Sequence, residues 1–175
     1  MDIDEPITIE LYNPAWVKQF KVEKRTLLAS LIIDPAHIEH IGSTAITGLS
    51  AKPIVDIMVG LTVFPPSASV RAALCLLSYD DLGEAGVPER FYFRKRSPTD
   101  FNIHAVAING EHWNNNLLLR DYLIAHPNAA RRYGEEKLHA IKAGHTMLFS
   151  YSSAKASMVA ELIADARIWK ESLQK

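Results

Sequence analysis

The run Ile54-Val55-Asp56-Ile57-Met58-Val59-Gly60-Leu61 constrains the fold of this chain more than any other segment. Its β-branched and long apolar side chains read as a buried strand. Asp56 therefore places a carboxylate at or near the interior of a sheet, where a charge is costly unless a cation or hydrogen-bond donors meet it. Just upstream, His37 to Ile41 reads as a shorter strand running into Gly42-Ser43-Thr44. Glycine lets a backbone approach a ligand closely, and the two hydroxyls add donors suited to phosphate oxygens. A phosphate-holding turn followed by a carboxylate on the next strand suits metal-assisted phosphoryl transfer. Gly42, Ser43 and Thr44 would grip phosphates, and Asp56 would hold Mg²⁺.

The length, 175 residues, points to one domain, and a hydrophobic content of 48% provides for a sizeable core. A formal net charge of −1 carries no basic excess of the kind that tracks a long nucleic acid, so no such partner is expected. A nucleotide or another small phosphorylated ligand remains open. The lone Cys75 lies in the apolar pattern from Val70 to Leu77 and reads as a buried structural thiol. The acidic start lacks the apolar segment of a secretory leader. No apolar run approaches the about 20 residues of a membrane helix. A cytoplasmic protein with no membrane partner is expected.

Ile7 to Leu11 alternates in polarity and suggests a first strand. Asn13-Pro14 opens a helix that turns Trp16, Phe20, Leu27, Leu28 and Leu31 inward. His40 reads as a partly exposed strand histidine, with phosphate contact as the alternative. Lys52 is either a point charge for a phosphate or a solvated lysine at a strand start. Ser67 or Ser69 caps a second helix, with Val70, Ala73, Leu74 and Leu77 inward, and Asp80 to Pro88 reads as an exposed loop. Glu89 to Arg96 and Phe101 to Ile108 form a hairpin around Ser97-Pro98-Thr99-Asp100. Alternation from Phe91 and Phe93 puts Arg94 on the polar face, where the strand's cations either draw an anionic substrate or protect a solvated edge. Past Asn109-Gly110 the pattern is helical: Glu111 to His126, then Ala129 to about Lys142 capped by Asn128, then a final helix capped by Ser150 or Ser152 and ending near Leu173. Arg120 interrupts an apolar stretch, either to clamp a phosphate bidentately or to pair with an acid, Asp56 or one near Asp121.

Several blocks, in order, resemble the GrpB family: Glu10-Leu11-Tyr12-Asn13-Pro14-Ala15-Trp16, His40 to Leu49, Lys52 to Ile57, Leu119 to Leu123 with His126-Pro127, the pair Tyr133 and Lys137, and the pair Tyr151 and Lys155. That family is assigned to the nucleotidyltransferase fold of the DNA polymerase β-like superfamily. The resemblance implies an α/β (α+β) fold. A nucleotidyltransferase-like mixed β-sheet core would occupy residues 1–110, and residues 111–175 would form a C-terminal helical region packed on it as one compact unit. The superfamily signature is an apolar residue, Gly, then Gly or Ser, a spacer, and two acids separated by one apolar residue. Here Asp56 is the first acid and Met58 stands at the second. A third carboxylate on a later strand has no counterpart between Asn102 and Val106. His104 is its best replacement, and an imidazole suits Mn²⁺ better than Mg²⁺. The superfamily's helical region brings a lysine and a tyrosine to the triphosphate, which implies Lys137, Tyr151 and Lys155. Spaced four apart, the last two share a helix face.

Two functions are expected from this pattern. In the first, a nucleoside triphosphate binds at Gly42, Ser43 and Thr44, Asp56 and His104 hold a divalent metal, and a nucleotidyl group passes to a small acceptor. Lys52, Arg94, Arg120, Lys137, Tyr151 and Lys155 are the further candidates for holding phosphate. In the second, the same cleft binds a nucleotide or another phosphorylated ligand without turnover, in a regulatory or accessory role. Met58 favours the second, because a thioether does not replace a hard oxygen ligand for Mg²⁺.

Overall fold

A computed structural model describes residues 3–174; the first two residues of the acidic start and the final lysine lie outside it. The architecture is mixed α/β, as expected. The elements run α1 (Ala15–Ser30), β1 (Ile38–Ile41), β2 (Val55–Leu61), α2 (Ala68–Leu76), β3 (Asp80–Asp81), β4 (Arg90–Arg96), β5 (Asp100–Ala107), α3 (Glu111–Ala125), α4 (Pro127–Lys142), α5 (Leu148–Ala154) and α6 (Ala156–Ser172). The five strands form one sheet in the order β1-β2-β5-β4-β3. β2 and β5 run parallel at its centre, and the other pairs are antiparallel.

The Asp56 strand reads as a nearly continuous apolar run because both of its faces are covered. On one face Val55, Ile57 and Val59 join Phe93, Ile103 and Ala105, beneath Trp16 and Leu27 of α1, Leu31 just past its end and Leu74 of α2. On the other, Met58 packs with Ile41, Val106 and Trp113 of α3. Because side chains alternate along a strand, that second face also carries Asp56, Asn102 and His104. The parallel register sets Asp56 opposite Asn102, and Met58 opposite His104. Among the described residues no helix is long and apolar enough to cross a membrane.

Several expectations are corrected. Ile7 to Leu11 is not a strand: it makes only isolated bridges, Pro6 with Met147 and Glu10 with Ala51, although Ile7 is buried. The acidic loop at Asp80 begins with the short edge strand β3, paired to β4. Asp100 opens β5 instead of sitting in the turn. α4 starts at Pro127, whose missing N–H costs nothing in a first turn, so Asn128 is not its cap. The last helix is two, broken at Lys155, and Ser150 and Ser152 lie inside α5. Cys75 is exposed, since α2 buries only its Leu74 stripe.

Candidate functional site

Chain topology brings the turn and the carboxylate together. β1 pairs with β2 so that Ile41 faces Asp56, which puts Gly42 against the Asp56 side chain. Gly42 has φ 69° and ψ −171°, a region that side-chain-bearing residues essentially do not occupy. A Cβ there would stand 2.8 Å from Asp56 Oδ2. The turn is pinned from two sides. The Thr44 hydroxyl meets His40 Nε2 at 3.0 Å, and the His40 ring stacks on Phe20 with centroids 4.8 Å apart. From α4, the Lys137 ammonium donates to Ser43 Oγ at 3.0 Å and also to the Ser50 carbonyl. His40 is thus buried, not partly exposed. Burial pulls its pKa down to about 4, against the charge of Asp56, and it acts as a neutral anchor of the turn.

Asp56 accepts a hydrogen bond from Asn102 Nδ2 at 2.7 Å, and His104 Nε2 lies 3.4 Å from the same oxygen. Burial works to raise the pKa of this carboxyl. The charge of Lys52 and the bonds from His104 and Asn102 outweigh burial and hold it well below the usual carboxylate range. His104 is displaced downward by burial, which exceeds the pull of Asp56, and so favours neutral imidazole. Asn102 is itself oriented: its Oδ1 accepts from Arg96 Nη2 at 3.0 Å. Arg96 in turn holds Glu5 bidentately, at 3.0 and 2.6 Å.

Two chambers open beside Asp56. One, of about 70 Å³, is bounded by Gly42, Ser43, Thr44, Tyr133, Tyr151 and Lys155. The other, of about 310 Å³, is bounded by Arg90, Tyr92, His104, Asn116, Ser152 and Lys155. Gly42, Lys52, Asp56 and Lys155 line both. Lys52 makes no hydrogen bond or ion pair among the described residues. Burial lowers its pKa, partly offset by Asp56. The Lys155 ammonium lies 4.8 Å from the Tyr151 ring centroid and 3.5 Å from the Tyr133 hydroxyl. Burial opposes its charge, yet Tyr133, Tyr151 and Asp56 leave its pKa above the ordinary value. A larger cavity, about 480 Å³, lies between the 45–50 segment and helices α3 and α4; its lining, with Leu123, Ile124 and Leu138, includes none of the expected residues.

Of those residues, Gly42, Ser43, Thr44, Lys52, Asp56, His104, Tyr151 and Lys155 converge on the two chambers. Lys137 stands behind the turn. Arg94 is buried and pairs with Glu5 at 3.4 Å. Arg120 is committed to Glu39 at 2.6 Å, Asp121 at 2.8 Å and the His40 carbonyl, not to Asp56. Sequence reasoning did not single out Asn102, Glu5 or Tyr133 for the site, and it took Arg90 and Arg96 only as part of a row of strand cations that either draw an anionic substrate or protect an edge. Alternation from His104 would have flagged Asn102. Nothing local links Glu5 to Arg96.

The donor set does not fit a metal held by the protein itself. Met58, at the second-acid position, is fully buried among apolar side chains. No cluster of three or more His, Cys, Asp or Glu side chains suited to a metal occurs among the described residues. Asp56 is already met by Asn102, His104 and the Lys52 charge, so the local field favours an anion over a second cation.

The GrpB protein family model matches residues 6–165. The chain belongs to the GrpB family. It is 31% identical to UPF0157 protein PA4798 of Pseudomonas aeruginosa, over 93% of this chain and 69% of that protein. With UPF0157 protein YqkA of Bacillus subtilis the identity is 30%, over 94% of this chain and 48% of the relative, so the chain spans about half the length of that protein. The crystal structure of conserved protein GrpB from Enterococcus faecalis superposes with a TM-score of 0.81 at 27% identity, over 93% of this chain and 99% of that one.

Proposed function

We propose that this chain binds a small phosphorylated molecule, a nucleoside triphosphate by the chemistry of its turn, with one phosphate seated against Gly42, Ser43 and Thr44. The observation that carries this reading is the charge around the 70 Å³ chamber. Lys52 and Lys155 line it, Lys137 backs it, and the single carboxylate present is already hydrogen-bonded to Asn102. Lysines that share one carboxylate in a confined space are further stabilised by an anion, and the turn supplies hydroxyl and backbone donors for its oxygens. Neutralisation of phosphate charge therefore falls to lysines where related chemistry uses a metal-binding carboxylate pair.

A second reading, nucleotidyl transfer, rests on the 3.4 Å approach of His104 to Asp56, which sets an imidazole and a carboxylate side by side next to the phosphate turn. One experiment tests both. Thermal unfolding is followed with ATP, GTP, CTP and UTP, each with Mn²⁺ or with chelator, on the wild type and on Asp56→Asn. A ligand confined to the folded state raises the midpoint by mass action. A rise that persists in chelator supports phosphate binding by the lysines. A rise that requires Mn²⁺ and disappears in Asp56→Asn supports nucleotidyl transfer. No rise with any triphosphate, in either condition, overturns the nucleotide assignment.

A further inference from the structure

The 310 Å³ chamber on the far side of Asp56 carries a cation that the phosphate turn does not use. Arg90, on β4, lines this chamber and not the smaller one. Its Nε is buried and has no hydrogen-bond partner among the described residues. Its Nη2 reaches only the carbonyls of Glu84 and Ala85, both at 3.4 Å, the outer limit of a hydrogen bond. The guanidinium lies 5.0 Å from the ring centroid of Tyr92, and no carboxylate pairs with it among the described residues. A half-buried guanidinium whose Nε is buried and unpartnered among the described residues, and whose planar fork is so weakly engaged, is unusual in a folded protein, and its natural complement is a bidentate oxyanion.

We propose that this second chamber is a separate phosphate site, in which Arg90, with Lys52 and Lys155 from the shared wall, binds the phosphate of a second, phosphorylated molecule. The proposal deepens the reading of the turn as a phosphate site and shares two lysines with it. Three cations, Arg90, Lys52 and Lys155, border the chamber, and among its lining residues Asp56 is the single acid. A phosphate dianion matches that surplus better than a monocarboxylate. Two molecules are favoured over one spanning polyphosphate because Asp56, held ionised, stands on the wall common to both chambers. A continuous polyphosphate would have to run past that carboxylate. Neutral donors from Asn116, Ser152 and Tyr92 line the same space and are available to the rest of the second molecule.

The test is a titration of inorganic phosphate, followed by ³¹P NMR and calorimetry, into the wild type, Arg90→Gln, Arg90→Lys and Ser43→Ala, each with and without saturating ATP in chelator, and with acetate at matched ionic strength as control. The wild type is expected to take up two phosphate ions, of which ATP displaces one. Arg90→Gln is expected to weaken the ATP-resistant site by about tenfold or more while leaving ATP binding intact, because it removes a charge-assisted contact. Arg90→Lys should recover part of that loss, and Ser43→Ala should affect only the ATP-sensitive site. If ATP displaces all bound phosphate, or if one phosphate ion binds and Arg90→Gln leaves it unchanged, there is no second site. If ATP fails to bind but phosphate still shows an Arg90-dependent site, the nucleotide reading fails and this one stands. Should Arg90→Gln not fold, the ATP competition on the wild type still decides. Acetate binding equally well would overturn the preference for phosphate.

Discussion

Replacing Gly42 by alanine separates two effects that meet at one atom. The backbone there has φ 69° and ψ −171°, and holding a side-chain-bearing residue in that region costs about 1–3 kcal/mol. The new Cβ would also lie 2.8 Å from Asp56 Oδ2 and 3.3 Å from Asp56 Cβ. Asp56 has little room to yield, because its other oxygen is held by Asn102 at 2.7 Å. Either the turn lifts away from β2 or the carboxylate leaves Asn102, and both spoil the chamber. For a domain of this size each kcal/mol moves the midpoint by about 2–4 °C, so Gly42→Ala should lower it by about 2–12 °C. Gly48 is the internal control. It also has a positive φ, 81°, but a Cβ there meets nothing within 4 Å. Gly48→Ala should therefore show a backbone cost of about 1–2 kcal/mol and no loss of ligand. The assay is calorimetric unfolding of both variants, plus titration with ATP in chelator. Gly42→Ala should bind ATP about tenfold more weakly or worse, equivalent to one lost charge-assisted contact. If the two variants unfold at the same temperature and bind ATP equally, the contact between the turn and Asp56 has no functional weight and the reasoning fails.

Three further outcomes follow from the electrostatics. Asp56→Asn should destabilise the protein at neutral pH by about 1.5–3 kcal/mol, the usual weight of hydrogen bonds to a charged group. Because the folded pKa of Asp56 is depressed, its contribution is present above the unfolded carboxylate value of about 4 and is lost as pH falls through the folded one; urea unfolding between neutral and strongly acidic pH should show the two proteins converging at the acid end. Lys137 has its pKa pulled down to about 7 by burial, with Lys155 adding to the effect. Affinity for sulfate, which does not titrate in this range, should fall as pH rises above about 7, and Lys137→Met should bind sulfate weakly at every pH; an unchanged slope in that variant would exclude Lys137 as the titrating group. On the opposite face of the sheet, Glu23 accepts from the Tyr79 hydroxyl at 2.8 Å and from Lys95 at 2.6 Å. Glu23→Gln should cost about 1.5–3 kcal/mol in denaturant unfolding while ATP affinity stays within error, since neither partner lines the chambers.

The parts of this fold that were legible in the sequence are those set by local periodicity. β2 shows as an apolar run, β4 and β5 as an alternating hairpin, and α1 as a stripe from Trp16 to Leu31. The meeting of Gly42 with Asp56 was legible too, because two consecutive strands joined by a short segment place the end of one beside the start of the next. What escaped depended on distance along the chain. Ile7 to Leu11 has the alternation of a strand and buries Ile7, but its neighbours Met147 and Ala51 offer one bridge each instead of a ladder. Cys75 sits among apolar residues yet falls off the Val70, Ala73, Leu74, Leu77 stripe, a distinction that composition hides and helical angle reveals. The Glu5, Arg96, Asn102, Asp56 relay ties the start of the chain to its middle, and nothing local links Glu5 to the rest.

Met58 shows why a missing acid is informative only together with its surroundings. A polar residue at that position would be compatible with a ligand set rearranged around a metal. Met58 is instead fully buried against Ile41, Val106 and Trp113. A carboxylate placed there would lose the packing of a buried methionine, a cost of about 2–5 kcal/mol for truncation alone, and would add the desolvation of a charge facing no cation in that cluster. Two residues earlier, Asp56 is ionised because Lys52, His104 and Asn102 meet it. The boundary between apolar core and charged site therefore falls between two adjacent side chains on one face of β2. On the reading proposed above, the charge that a metal would bring to a phosphate at the turn falls to Lys52 and Lys155, on the polar side of that boundary.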